Sequence, residues 1–134
     1  MERKILFRAK TDNKWVYGVP IYLRNETYIV CNFCLGGDYN DYWVEAETLG
    51  QYIGICDKNN VKIFEHDIVK VTEKYSQQDE SPFIMIGEIV YEDCMFGLKT
   101  KDGKFYTPIW ENEELEVIGN SFDNKDWSNN NDNI

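Results

Sequence analysis

Four cysteines and one histidine are the residues of this chain best suited to metal or redox chemistry. Cys31 and Cys34 form a single C-x-x-C motif, whereas Cys56, Cys94 and His66 stand apart in the sequence. A structural zinc site needs a second close pair or nearby histidines, and a redox C-x-x-C usually opens a helix. Here the motif follows a strand-like segment. The spacing therefore favours buried or incidental thiols, and a metal or thiol site built from Cys31, Cys34, Cys56 and His66 is the weaker hypothesis.

His66 lies between two carboxylates, Glu65 and Asp67, and could act as a general base. Consecutive residues of an extended segment point in opposite directions, so at least one of these carboxylates cannot orient the ring. A histidine in a surface turn is the favoured interpretation. The chain also shows no Ser-His-Asp order, no G-x-S-x-G elbow and no phosphate-binding glycine loop. We therefore predict a protein that is not an enzyme, with no catalytic residues, metal or cofactor.

Two further groups of residues could bind a partner. The acidic run 111–116 could hold calcium or a basic partner, but it lacks the alternating oxygen ligands and the glycine turn of a calcium loop, so a solvated loop is favoured. Tyr39, Tyr42 and Trp43 lie beside an aspartate-rich loop and could form a groove for a peptide, as aromatic side chains do in SH3-type modules. The alternative is that Trp43 packs in the core and the tyrosines line its edge.

The elements that would position these residues are short and extended. Polar turns separate them, and no segment of ten or more residues carries a helical apolar stripe. Strands are expected over 4–9, 15–17, 21–23, 27–32, 42–44, 51–56, 61–64, 68–72, 83–91, 95–100, 105–110 and 115–118. One helical turn is expected at 46–49, a mobile loop at 74–82, and a bend or bulge at Gly87. The pattern predicts a mostly β protein built as a barrel or as two packed β lobes.

Charge and hydropathy narrow the class of protein. The 134 residues include 14 Lys and Arg against 24 Asp and Glu, a net charge of −10, which argues against a general nucleic-acid binder. No apolar run is long enough to span a membrane, and no secretion signal is evident, so a soluble cytoplasmic protein is expected. Residues 1–24 carry six cations and two anions, or +4, which leaves −14 for the rest. A basic N-terminal face could meet the acidic C-terminal region of another copy or of its own chain, or it could simply be solvated. Self-association is favoured because exposed strand edges and abundant aromatic residues suit it.

Several segments, spread over almost the whole chain, match a known pattern. They are Arg8-Ala9-Lys10, residues 12–18, 50–54, 57–70 and 116–120, and Asp123-Asn124. Together they resemble the YopX family of phage and prophage proteins from low-GC Gram-positive bacteria. The resemblance implies an SH3-like β-barrel over residues 50–122, preceded by a smaller β-rich part over 1–49. It supplies no catalytic residues.

The resemblance also shows one departure. Family members commonly have Gly-Asp where this chain has His66-Asp67. Glycine adopts a positive φ without cost, whereas histidine adopts it at a small penalty, unless the turn differs locally. The polar residues 123–134 are expected to form a disordered tail, because they offer almost nothing to bury.

The leading functional hypothesis is a non-enzymatic phage accessory protein that acts as a protein-interaction module. Its expected partners are a second copy of itself and a host or phage protein, and pairing of strand edges is one way for copies to associate. The alternative is an acidic protein that mimics nucleic acid and inhibits a host protein. Direct binding of nucleic acid is the least favoured option, because it needs a continuous basic strip.

Overall fold

A computed structural model describes residues 4–31, 40–73, 84–106 and 113–127. These ranges are mostly β and contain no α-helix. The strands are β1 (Phe7–Thr11), β2 (Lys14–Leu23), β3 (Glu26–Cys31), β4 (Asn40–Trp43), β5 (Glu45–Cys56), β6 (Lys62–Phe64), β7 (Asp67–Glu73), β8 (Ile84–Glu92), β9 (Met95–Thr100), β10 (Phe105–Tyr106) and β11 (Glu113–Asn120). Within the same ranges, no helix is long and apolar enough to cross a membrane. The predicted loop at 74–82 lies outside them.

The chain forms two compact units, Met1–Gly54 and Ile55–Ile134. The division falls inside β5, as does the boundary at residue 49 drawn from the sequence. The first sheet has the strand order β4-β3-β2-β1-β5-β6, and the second has the order β10-β9-β8-β7-β11. In the described residues the second sheet is open, with β10 and β11 at its two ends, so a closed barrel is not observed.

Tight hairpins build the first unit. The chain turns between β1 and β2 at Asp12 and Asn13, whose φ angles are 48° and 65°, and between β2 and β3 at Arg24 and Asn25, at 52° and 67°. Two successive positive φ angles define a type I′ turn, whose twist matches that of the flanking antiparallel strands. The strand pairs on either side keep register up to the turn, with Thr11 opposite Lys14 and Leu23 opposite Glu26.

One face of this first sheet forms a small core. Ala9, Val16, Ile29 and Val44 are buried there, and Phe7, Tyr42 and Leu49 pack against them. Burial of a side chain such as Ile29 contributes roughly 1.5–3 kcal/mol. The core residues of β1, β2 and β3 therefore fix which side chains must point to the opposite face of the sheet.

The helical turn predicted at 46–49 is wrong, because these residues belong to β5. The pairing of β1 with β5 shifts register just before Lys10, which lies opposite Glu45. Thr48 bridges the irregularity: its Oγ1 accepts a hydrogen bond from the Lys10 N–H at 2.8 Å and donates one to the Glu45 carbonyl at 2.6 Å. A bulge supported by a threonine hydroxyl thus interrupts the apolar alternation that would otherwise identify a strand.

The second sheet is a meander from β7 to β10 with β11 added beside β7. The large apolar side chains of this unit that are buried are Ile63, Phe64, Ile68, Val69, Val71, Ile89, Leu98 and Leu115. The two residues at the tip of the β8–β9 hairpin, Asp93 and Cys94, again have positive φ angles of 52° and 66°. The predicted hairpin at 57–60 is confirmed, with Asn60 in the left-handed conformation at φ 65°.

A bend or a bulge was predicted at Gly87, and the bulge is wrong. β8 pairs through this residue without a shift, since Gly87 lies opposite Val69 on one side and Thr100 on the other. A Cβ atom added at Gly87 would lie 2.7 Å from the Leu98 Cγ and 2.7 Å from the Lys99 carbonyl oxygen. Glycine is therefore needed here because the neighbouring strand approaches too closely for any side chain.

Part of the predicted disordered tail is ordered, since residues 123–127 form turns directly after β11. The Asn124 side chain accepts a hydrogen bond from the Asn120 N–H at 3.1 Å, and the Asn124 carbonyl accepts one from the Trp127 N–H at 3.1 Å. Asparagine side chains favour such local turns because they hydrogen-bond nearby backbone groups. Residues 128–134 lie outside the described ranges.

Candidate interaction surface

The first sheet carries apolar side chains on both of its faces. Val16 of β2 points into the core, so its neighbours at odd positions point to the opposite face. Val19 lies opposite Val30, and Ile21 lies opposite Tyr28, which in turn lies opposite Trp43. We call this the outer face; its apolar residues are Tyr17, Val19, Ile21 and Leu23 of β2, Tyr28 and Val30 of β3, and Trp43 of β4.

The outer face is open to solvent. Five of its residues are large, exposed side chains: Val19 is 61 % exposed, Leu23 56 %, Trp43 50 %, Tyr17 43 % and Ile21 38 %. Isolated exposed apolar residues are common in soluble proteins, but contiguous apolar surface of several hundred Å² is typical of an interaction site. The five side chains together expose roughly 500 Å². This surface is the strongest candidate for binding in the described part of the chain.

The structure separates the three aromatic residues proposed from the sequence. Tyr42 packs against the core cluster, with the Lys14 Nζ 5.3 Å from its ring centroid. Trp43 points to the outer face, and its Nε1 donates a hydrogen bond to the Glu26 Oε2 at 2.7 Å. Tyr39 lies outside the described residues. The alternative interpretation, with Trp43 in the core, is wrong, because half of its surface is exposed.

Charged residues lie at opposite corners of the outer face. On β1, Arg8 is buried and its Cζ stands 4.2 Å from the Trp15 ring centroid, while the Lys10 Nζ is 5.2 Å from the same centroid. Such cation–π contacts are attractive and favour this position of the ring. On the same face, Glu45 of β5 lies opposite Lys10, Glu26 is the first residue of β3, and Asp41 of β4 lies opposite Val30. Two cations and one anion therefore lie at the β1 side of the face, and Glu26 lies at the diagonal corner.

The thiols do not assemble a site in the part of the chain that the structure describes. Cys56 is half-buried, and Cys94 is exposed at a hairpin tip. Cys34 and the side chain of Cys31 lie outside the described part. Among the described residues, no group of three His, Cys, Asp or Glu side chains could hold a metal ion.

His66 is a turn residue, and the left-handed conformation considered for its position is confirmed by a φ of 76°. Its N–H donates to the Ile89 carbonyl at 2.8 Å, and its own carbonyl accepts from the Ser121 N–H at 2.9 Å. The ring contacts Phe122 edge-on at 5.0 Å, and Nδ1 lies 3.2 Å from the Glu88 Oε2. The ring therefore joins β8 to the segment after β11, which is a structural role.

Asp57 is buried and orders the hairpin after β5. Its Oδ1 accepts hydrogen bonds from the Asn59 N–H at 2.8 Å and the Val61 N–H at 2.9 Å, and its Oδ2 accepts one from the Val117 N–H at 2.9 Å. Burial by itself raises the pKa of Asp57, but these three N–H donors and the nearby Lys58 ammonium hold it below its ordinary value of 3.8. The Asp57 carboxylate therefore has a structural role.

Asp67, the second carboxylate beside His66, is likewise structural. It is 2 % exposed, and its Oδ2 accepts a hydrogen bond from the Phe64 N–H at 2.8 Å. This bond closes the turn between β6 and β7, so that Asp67 does for this turn what Asp57 does for the preceding one.

Lysines lie close to some of the described acidic residues of the second unit. Lys58 Nζ lies 3.6 Å from Glu114 and 3.7 Å from Glu116, two members of the acidic run considered above. Lys99 lies 2.8 Å from Glu92, whose hydrogen bond raises the pKa of the lysine. The first two residues of the acidic run lie outside the described residues. Lys58 and Lys99 thus interrupt the acidic surface at two places in the described residues.

These features define a β-sheet protein of two units, one of which presents an exposed apolar sheet face. Comparison with curated proteins gave no significant match. The family model described as "YopX protein" matches residues 6–126, which is most of the chain. The chain therefore belongs to the YopX family, and the resemblance drawn from the sequence is confirmed.

Proposed function

We propose that this protein is a non-enzymatic phage or prophage accessory protein that works by binding another protein through the outer face. In this proposal it acts in the bacterial cytoplasm, both on a host or phage protein and by self-association. Membership of the YopX family supports the phage context. The exposed apolar side chains of the outer face, from Tyr17 to Trp43, are the observation that carries the binding role.

The physical reason is the double-sided apolar character of the first sheet. An antiparallel sheet commonly buries one face and presents polar side chains to water on the other. Here Val16 and Ile29 fill the buried face, while Val19, Ile21 and Leu23 occupy solvent-facing positions that polar residues would normally take. Such a surface is energetically favourable only when a partner covers it.

An acidic mimic of nucleic acid is the alternative, and the net charge of −10 is the observation that favours it. A mimic needs acids in a continuous array, with spacing near the ~7 Å between adjacent phosphates, and its binding should weaken as salt rises. The pairing of Glu114 and Glu116 with Lys58, and of Glu92 with Lys99, breaks such an array. The interaction module is therefore the better supported proposal.

A capture experiment tests the proposal. A tagged copy, expressed in the native host with the phage present, should retain a defined host or phage protein, and Val19→Lys should abolish retention. Val61→Lys is the matched control, because Val61 is a comparably exposed valine in the second unit. Retention that persists in Val19→Lys, or recovery of the tagged protein alone, would contradict the proposal. Retention lost at high salt in the wild type would instead support the acidic mimic.

We also propose that the second sheet is the main part of an SH3-like barrel. The consecutive antiparallel strands β7, β8, β9 and β10 support this, because small barrels are built from such meanders. An NMR or crystal structure should show further strand pairing that closes the sheet, beyond the bonds that β11 already makes with Asp57 and Lys58 on its outer side. Solvent-exchangeable amides along the outer side of β10 would show an open sheet instead.

A further inference from the structure

We propose that the occupant of the outer face is a second copy of this chain, packed face to face about a twofold axis. The inference rests on the proposed function, since it names the partner of the same surface. The outer face is a three-stranded antiparallel surface in which Val19, Ile21 and Tyr28 occupy the middle. Two such surfaces can interdigitate as the inner faces of a β-sandwich do.

The first unit is better suited to this contact than the second, because its net charge is much lower. Residues 1–54 carry six cations and seven anions, a net charge of −1, whereas residues 55–134 carry eight cations and seventeen anions, or −9. Two copies of the second unit repel each other, and two copies of the first do not. The low net charge and the exposed apolar surface therefore occur in the same unit, as self-association requires.

Opposite charges at the corners of the outer face fix the orientation of the two copies. Lys10 of β1 lies opposite Trp15 near the start of β2, and Glu26 of β3 lies opposite Leu23 at its end, so these two residues occupy diagonal corners; Lys10 also lies opposite Glu45 of β5. A twofold axis in the plane of the interface, perpendicular to the line joining these corners, places each cationic corner over the acidic corner of the other copy. A twofold contact must be self-complementary in this way.

Trp43 is suited to anchor the contact. Its ring is half exposed, and its indole N–H is already bonded to Glu26 of the same chain. Burial of the ring against a second copy therefore leaves no donor unsatisfied, and the bond holds the ring in place before the copies meet. Tryptophan is enriched among the residues that dominate interface energetics.

The area of the surface sets the expected affinity. With roughly 500 Å² of surface exposed by these five residues on each copy, the contact lies near the lower limit for a specific interface. We therefore expect a reversible dimer that forms at roughly micromolar concentration.

Sedimentation equilibrium over a range of protein concentrations tests the inference. The wild type should move from the chain mass of 15.8 kDa towards twice that value. Val19→Lys should weaken the dimer by about 100-fold or more, because it places a lysine of each copy near the axis. Val61→Lys should dimerise like the wild type, and thermal unfolding of both variants should match the wild type, because both valines are exposed.

Each other outcome overturns the inference. A wild type that stays monomeric up to about 0.5 mM has no specific self-contact of this size. Equal weakening by Val19→Lys and Val61→Lys would indicate a charge effect without a defined face. Dimerisation that falls steeply as salt rises would indicate an ionic contact, whereas an apolar contact persists.

The two proposals fail separately. A monomeric wild type that still captures a host protein, with capture lost in Val19→Lys, would overturn the second copy as the occupant and leave the interaction module intact. A wild-type dimer that dissociates in Val19→Lys but captures no other protein would support the dimer and overturn a role through a host or phage partner.

Discussion

Replacement of Asp57 by asparagine should destabilise the second unit strongly, although the side chains have almost the same shape. In the wild type, one carboxylate oxygen accepts two N–H donors, from Asn59 and Val61, and the other accepts the Val117 N–H. Asparagine retains one accepting oxygen but presents an NH₂ group at the other position. An amide donor would therefore face the Val117 N–H, and that backbone group would lose its partner.

The expected loss follows from these three bonds. A hydrogen bond to a charged group contributes roughly 1.5–3 kcal/mol, and an unsatisfied donor at a buried site costs about 1–3 kcal/mol. Asp57→Asn loses one such bond outright and weakens two, so we expect a fall of about 3 kcal/mol in the free energy of unfolding. For a unit of this size, that corresponds to a Tm lower by roughly 10 °C or more. Urea and thermal denaturation monitored by circular dichroism would measure it.

The pH dependence gives a second readout. The pKa of Asp57 is lower in the folded protein than its ordinary value of 3.8. Its stabilising contribution is therefore complete above pH ~4 and is lost as the pH falls through the lowered pKa, when the folded carboxylate takes up its proton. Asparagine has no such titration. The difference in stability between wild type and Asp57→Asn should be largest between about pH 5 and pH 7, and it should shrink below pH 3.8.

Asp93→Asn is the matched control. Asp93 also lies in the second unit, and it is exposed in a type I′ turn where asparagine is equally acceptable. The two substitutions change the net charge equally, so only the loss of buried hydrogen bonds distinguishes them. Equal Tm values for the two variants, or a difference from wild type that does not depend on pH, would refute the role assigned to Asp57.

Substitutions at three other positions test the backbone geometry of the second unit, each by urea denaturation. His66→Ala should lower the free energy of unfolding by about 2 kcal/mol, because the contacts with Glu88 and Phe122 disappear while the positive φ persists. His66→Gly should recover about 1 kcal/mol of this loss, because glycine adopts the positive φ without strain. Equal stabilities of the two variants would show that the φ angle carries no strain. Gly87→Ala should lower the free energy of unfolding by about 2 kcal/mol, because the added methyl group overlaps the adjacent strand. An unchanged stability would show that the two strands can move apart without cost. Cys94→Gly should stabilise the β8–β9 hairpin by about 0.5–1 kcal/mol, and a loss of stability would reveal a contact of the thiol.

Much of the fold could be predicted because its hairpins carry local signals. Asp12-Asn13 and Asn60 are residues that tolerate positive φ, and they mark turns that the structure confirms. The bounds of β9, Met95–Thr100, agree with the sequence pattern because a polar turn lies on each side. Where the turn residue is unusual, as with His66 or Cys94, the flanking alternation still places the turn, since register is determined by the strands.

The errors arise where a contact distant in sequence determines the local structure. Residues 46–49 were expected to form a helical turn, but they lie in β5 beside an irregularity that the bond from the Lys10 N–H to Thr48 supports. Gly87 was expected to distort its strand. Glycine is needed at this position because Leu98 of the neighbouring strand approaches closely, and no local sequence pattern encodes that contact. Residues 123–127 were expected to be disordered because the bonds that order them begin at Asn120, in the preceding strand.

The candidate surface was only partly predictable. Tyr42 and Trp43 are adjacent in sequence, and their order alone does not show which of them points to the core. Register with Ile29 places Tyr42 on the buried face, and register with Tyr28 places Trp43 on the outer face. A signal was present in β2, whose apolar residues occupy both phases of the alternation, with Val16 in one and Val19 in the other. Apolar residues in both phases indicate a strand whose two faces are both covered.

The end strand β11 is one edge at which the strand pairing considered from the sequence is disfavoured. The side of β11 away from β7 is already occupied at two positions: the Lys58 N–H donates to the Leu115 carbonyl at 2.9 Å, and the Val117 N–H donates to Asp57. A strand added at this edge would have to displace both bonds and approach Glu114 and Glu116, which repel another acidic chain. Protection of this edge and exposure of the outer face therefore act together, because the one limits open-ended assembly through β11 and the other permits a closed dimer.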